Sequence, residues 1–358
     1  GAKHAAHLPA RAASRGAIYE DGHRKDVQAR SVNKMEDQSR QQRIVCIVGP
    51  TACHKTELSI ELAKRIGGEI VSADSVQVYF GMDIGSAKPT FEERQGIPHH
   101  LIDCVEIDTP DFSVSMFRSL AQKAIAEIVS RGKVPIIVGG SGLYVNALTY
   151  PLGFAVPKDD AAREHAVREY DEDAEAAFAR LKQIDPVTAS RLHVNDKKRI
   201  TRALEVFDCS GKPLSSFGAD FQNSAGEQAL FDPLLIGLNM DRAQLYQRID
   251  LRVDQMMERG LLEEARRIFD AKHEETLPAM RSIGYAQLFS YFSGECMLEQ
   301  AIETIKLDTR HFAKRQLSWF RRDARIDWHD VTDWDDVKDE LITQSTQQSQ
   351  DWMRGSNT

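Results

Sequence analysis

Apolar runs at residues 44–48, 134–138 and 234–238 are too short for helices and read as strands buried on both faces. A fourth run opens at Gly68 and ends in the polar residues Asp74, Ser75 and Gln77. Between the runs the spacing becomes helical: Leu58, Leu62 and Ile66 follow the first, and Phe117, Leu120, Ala124 and Ile128 fall between 112 and 131. Strands alternating with helices, with glycines and polar residues at the strand ends, predict an α/β fold: a P-loop-type parallel sheet core flanked by helices. The pattern changes from about 157 to 228, where a charged, Ala-rich stretch and an Asp185-Pro186 helix start predict a helical insertion domain. The core is therefore expected over 43–156 and 229–330, with 241–325 helical and broken at Gly260, Gly284 and Gly294. Residues 1–42 lack either period and are expected to be a disordered extension; 331–358 read as a tail, frayed over 345–358.

Composition narrows the class. The 358 residues are 42% hydrophobic and 28% charged, with net charge −8, so any nucleic-acid contact must come from a local basic face. Five scattered cysteines form no CxxC pair, which argues against a zinc site or disulfide framework and fits a reducing cytoplasm. No run approaches the roughly 18 apolar residues of a membrane span. Glu20, Asp21, Asp26, Glu36 and Asp37 argue against an organellar transit peptide.

The chemistry concentrates at three strand ends. After the first strand comes Gly49-Pro50-Thr51-Ala52-Cys53-His54-Lys55-Thr56, a phosphate loop in which His54 stands at the second glycine position. Backbone N–H groups there would hold a phosphate or pyrophosphate, Lys55 adds a point charge, and the Thr56 hydroxyl suits Mg2+. Cys53 reads as a small filler. Asp74 ends the second strand and Ser141 follows the one at 134–138, so the three converge where parallel sheets bind ligands. An isolated Asp in the place of Asp74 is more often a helix cap.

Further segments carry a resemblance. They are Asp74-Ser75-Val76-Gln77 continuing to Lys88-Pro89, Pro98-His99-His100 to Asp103, Gly139-Gly140-Ser141-Gly142-Leu143-Tyr144, Asn195-Asp196 to Glu205, and Thr309-Arg310 to Arg321. In this order, from about 43 to 325, the chain resembles the tRNA dimethylallyltransferases, also called tRNA isopentenyltransferases. The resemblance implies transfer of a dimethylallyl group from dimethylallyl diphosphate to N6 of the adenosine on the 3′ side of the anticodon. It implies Asp74 as general base, Ser141 and Arg252 at the diphosphate, and the loop from Gly49 through Thr56 as its cradle. It also implies contact between the tRNA anticodon stem-loop and Ser75, Gln77, Lys88, Arg199, Arg202, Arg310, Lys314, Arg315 and Arg321. His99 and His100 read as structural. The protein is expected to be a monomer.

Two positions depart from the family: His54 replaces glycine and Phe80 replaces arginine. At His54 a left-handed backbone is expected to lower the rate, and restoring glycine to raise it. Two other readings stay open: a sister enzyme prenylating free adenine nucleotides, and a tRNA-binding protein impaired by His54. A nucleoside-triphosphate hydrolase is a third.

Overall fold

A computed structural model describes residues 41–109, 112–150, 160–217 and 229–355. The expected disorder of 1–42 falls, apart from Gln41 and Gln42, outside the described residues. The chain enters as β1 (Arg43–Val48), turns through the phosphate loop into α1 (Lys55–Ile66), and continues as β2 (Gly68–Ser72) and the two-residue β3 (His99–His100). Helix α2 (Val114–Ser130), β4 (Val134–Gly139) and α3 (Gly142–Thr149) follow. The segment expected as an insertion holds α4 (Asp160–Glu172), α5 (Ala174–Ile184), α6 (Pro186–Ala189) and α7 (Lys197–Ser210). The chain returns as β5 (Asp232–Asn239), then α8 (Arg242–Glu258), α9 (Leu261–Asp270), α10 (Tyr285–Phe292) and α11 (Leu298–Phe320). It closes with β6 (Asp327–Asp330) and α12 (Trp334–Arg354).

The six strands among the described residues are all parallel, in the order β3-β2-β4-β1-β5-β6. In β1 the side chains alternate between faces. Ile44, Cys46 and Val48 enter one apolar cluster, and Val45 and Ile47 enter another. Both faces are thus covered, which explains why the strands read as continuous apolar runs rather than alternating ones. Polar side chains start several helices: Ser113 accepts from Met116 N–H, Asp173 from Ala176 N–H, and Asp241 from Ala243 and Gln244 N–H. A third apolar cluster (Ala166, Phe178, Leu181, Ile200, Leu204 and others) is built only from the helices of the expected insertion.

Two features differ from expectation. Strand β6, at the end of the expected core, pairs with β5 although no strand was read there, and the expected tail holds helix α12, packed on α1. Residues 345–354 are thus helical rather than frayed. The buried stripe of α12 is Trp334, Leu341, Ile342, Ser345 and Ser349; two serines in a Gln/Ser-rich stretch concealed the period. Strand β6 is four residues long, and Asp-Trp-His-Asp carries no apolar run.

Candidate active site

The loop between β1 and α1 is held from several sides. Gly49 has φ 148°, and a Cβ there would lie 2.5 Å from the Leu238 carbonyl oxygen of β5, so only glycine fits the approach. Gln316, on α11 and 6% exposed, bridges two strand ends. Its Oε1 accepts from Thr51 N–H at 2.9 Å, and its Nε2 donates to the Gly140 carbonyl at 3.1 Å. Arg248 Nε donates to the Ala52 carbonyl at 3.0 Å. Lys55 Nζ donates to the Pro50 carbonyl at 2.5 Å, folding the lysine back over the loop. Burial pulls the Lys55 ammonium down to about 8, while Arg252 also lowers it and Asp74 opposes. Cys53 is buried, which pushes its thiol up to about 11 despite Lys55, so it is a filler rather than a nucleophile. Thr56 is exposed in the first turn of α1.

His54 adopts φ 53°, ψ 13°, the left-handed region expected from the sequence. For a non-glycine residue this costs about 1–2 kcal/mol. Its ring stacks on Trp334 of α12, with centroids 4.5 Å apart and planes 13° from parallel. Nδ1 lies 3.2 Å from Glu57 Oε2. Burial lowers the imidazole pKa, with the Glu57 hydrogen bond opposing.

Asp74 leaves β2 half-buried. Oδ1 accepts from the N–H groups of Val76 at 2.8 Å and Gln77 at 3.2 Å. This is a capping geometry, and it fixes the carboxylate while Oδ2 has no hydrogen-bond partner among the described residues. The carboxylate acts electrostatically on both Lys55 and Arg252. Arg252, half-buried on α8 one turn beyond Arg248, is pulled down by burial and raised by Asp74. Ser141 caps α3 without a side-chain hydrogen bond to it, and its N–H donates to the Ala73 carbonyl at 3.3 Å, beside Asp74. Asp74, Ser141, Lys55 and Arg252 are therefore brought to one place, at the carboxyl ends of the neighbouring strands β2, β4 and β1.

The expected tRNA contacts divide. Lys314, Arg315 and Arg321 lie exposed along α11 and just past its end, and Ser75 and Arg199 are also exposed. Arg310 is tied to Asp250 by two bonds, Nε at 2.8 Å and Nη2 at 2.6 Å. Arg202 pairs with Glu205 on its own helix. Lys88 corrects the expectation: it is 6% exposed, and its ammonium donates to the Tyr79 carbonyl, to Asp83 at 2.8 Å and to Asp103 at 2.5 Å. Three acceptors hold that charge inside the fold. Gln77 is also engaged internally, accepting from the Ser72 hydroxyl at 2.9 Å and donating to the Ser86 and Ala87 carbonyls at 3.3 Å.

Comparison with known proteins bears on this arrangement. The profile of a family described as IPP transferase matches residues 77–323. The tRNA dimethylallyltransferase of Geobacillus thermodenitrificans is 46% identical over 294 residues, covering 82% of this chain and 91% of that protein. The chain belongs to the IPP transferase family. Another relative, tRNA dimethylallyltransferase 2 of Geotalea uraniireducens, is 46% identical over 289 residues, covering 80% of this chain and 91% of its own length. Among solved structures, the tRNA isopentenylpyrophosphate transferase of Bacillus halodurans is 39% identical with a TM-score of 0.65, covering 88% of this chain and 98% of that one. A eukaryotic dimethylallyltransferase acting on tRNA is 29% identical with a TM-score of 0.77, covering 88% of this chain and 80% of that one.

Within this IPP transferase, three site-shaping residues escaped sequence reasoning. Gln316 sits inside a family-like segment and Arg248 one turn before Arg252, but their partners lie 265 and 196 positions away. Glu264 is buried and accepts from the N–H groups of Asp83, Ile84 and Gly85 at 3.0–3.1 Å and from the Tyr285 hydroxyl at 2.6 Å. It anchors the segment that follows Asp74, and nothing around it in the sequence marks it.

Proposed function

We propose that this chain transfers a dimethylallyl group from dimethylallyl diphosphate to N6 of the adenosine 3′-adjacent to the anticodon in tRNA. The observation that carries the reading is the juxtaposition of Asp74 with Lys55 and Arg252: one carboxylate beside two cations at the rim of a phosphate loop. The N6 amino group attacks C1 of the dimethylallyl group, the C1–O bond breaks, and diphosphate leaves. Lys55, Arg252 and the loop N–H groups stabilise the leaving charge, and the N6 proton passes to Asp74. Oδ1 of Asp74 is held by two N–H groups, which leaves Oδ2 to take the proton. Ser141, just before α3, would donate its hydroxyl to the diphosphate.

The donor set fits Mg2+. The Thr56 hydroxyl is an exposed oxygen ligand, and the described residues contain no cluster of three His, Cys, Asp or Glu side chains that would select another metal. The Thr56 hydroxyl would hold the ion from the protein side, in keeping with the preference of Mg2+ for oxygen ligands beside substrate phosphates. Bound there, it neutralises charge on the leaving diphosphate.

On the acceptor side, Lys314, Arg315 and Arg321, with Ser75 and Arg199, are the exposed groups for the anticodon stem-loop. A flipped-out adenine would reach Asp74. We assign 43–156 and 229–330, extended through α12, to the catalytic core and 157–228 to an insertion domain. We also infer a cytoplasmic monomer that meets its tRNA there. The relatives' names favour tRNA over free adenine nucleotides as acceptor.

The test incubates labelled dimethylallyl diphosphate with unmodified tRNA or AMP, followed by nucleoside analysis. Label on the tRNA adenosine is expected, with a loss of about 100- to 10,000-fold in Asp74→Ala while inorganic pyrophosphate still binds. Label on AMP alone would favour the free-nucleotide enzyme. Intact tRNA binding without transfer would favour a binding protein.

A further inference from the structure

The side chain of His54 joins the phosphate loop to α12. The loop has other supports: Gln316 from α11 holds Thr51, and Arg248 from α8 holds Ala52. Two positions beyond Ala52, the support is aromatic. The His54 ring lies face to face with Trp334, and the His54 side chain is 10% exposed. Trp334 is the first residue of α12, is 6% exposed, and belongs to the apolar cluster that also holds Ala52, Cys53, Leu58, Leu62, Leu341 and Ile342. It is thus packed against the loop and anchored in its own helix. Its indole N–H is buried and has no hydrogen-bond partner among the described residues, so the ring is held by packing and stacking alone.

A glycine at position 54 would enter the left-handed conformation freely and leave it as freely. Histidine enters it at a cost, so something must hold it there. Its two engaged groups are Trp334 and Glu57, and Glu57 belongs to the same helix start.

We propose that Trp334 is a positioning residue for the diphosphate site, acting through its stack on His54 to hold the phosphate loop in its binding conformation. The proposal rests on the functional reading above. It reverses the expectation for His54: the imidazole is a fastening, and His54→Gly loosens the loop.

The experiment measures KM for dimethylallyl diphosphate, kcat and KM for tRNA in the full chain, with inorganic pyrophosphate binding alongside. Trp334→Leu, which fills space without a stacking face, is expected to raise the donor KM about three- to tenfold with KM for tRNA unchanged. Trp334→Phe is expected to restore most of the loss. His54→Gly is expected to raise the donor KM similarly, and adding Trp334→Leu to it to change little, because the two act through one contact. An unchanged donor KM in Trp334→Leu, or the same rise in both backgrounds, would overturn the proposal. So would an equal rise in KM for tRNA. A wild-type protein that binds no pyrophosphate overturns the functional reading and the proposal together; one that binds it, with all variants indifferent, overturns the proposal alone.

Discussion

At the scale of single residues, the charge on Lys55 decides how strongly the loop attracts an anion. Burial holds its ammonium near 8, with Arg252 acting in the same direction and Asp74 and Cys53 against it. Below that pH the lysine is charged; above it the loop loses one positive charge. Pyrophosphate affinity measured from about pH 6.5 to about pH 9.5 is therefore expected to be highest at the acid end and to fall through about pH 8. With the ionisation of pyrophosphate itself subtracted, a profile that does not fall through about pH 8 would count against a lysine held at that value. Residues named by a local motif were legible in the sequence: Lys55, Thr56 and Asp74 stand where strand ends and spacing put them. The fate of a cation was not. Lys88 is buried against Asp83 and Asp103, and Arg310 is paired half-exposed with Asp250, because tertiary neighbours decide whether a basic side chain is left to water or engaged by a carboxylate.

Among the elements, α11 has two unlike faces. Ala313, Gln316 and Phe320 are buried, and Gln316 fastens the phosphate loop. Lys314 and Arg315 are exposed between them, and Arg321 follows the last turn. Replacing Lys314 and Arg315 together by Ala is expected to weaken tRNA binding and to lower the salt dependence of log K by about 0.7–0.9 for each phosphate no longer neutralised. Donor KM should hold steady. Titration of tRNA affinity against salt checks this, and an unchanged slope would make the pair a solvated face. Arg310→Ala should alter the slope less than the double replacement, since its guanidinium is already held by Asp250. The helical period was readable because apolar positions recur at helical spacing. The clamp was not, because a buried glutamine looks like any polar residue until its partners are known.

The whole molecule shows why the ends of a sheet are harder to read than its middle. Strands β1, β4 and β5 are covered on both faces and announce themselves as apolar runs; β3 and β6 lie at the two edges, are short, and carry histidine, tryptophan and aspartate. Deleting residues 327–358 would remove the edge partner of β5 and the cover over α1, including Trp334, Leu341 and Ile342. The shortened chain keeps every residue matched by the family profile, 77–323. It is nevertheless expected to lose thermal stability, to bind pyrophosphate at least tenfold more weakly, and to self-associate through the bared edge. Calorimetry and a pyrophosphate titration would check this, and full affinity in the shortened chain would contradict it.

The position of α12 also sets a timetable. The loop is among the first parts of the core to be synthesised, and the tryptophan that stacks on it comes about 280 residues later, tens of seconds at about 5–20 residues per second. Until then the nascent protein holds a phosphate loop with its left-handed histidine unsupported and one sheet edge open. If Trp334 holds the loop as proposed, a growing chain would complete its diphosphate site only when nearly all of the fold is in place, and a ribosome that stalls before β6 would leave behind a product with the family's motifs and an unfinished site.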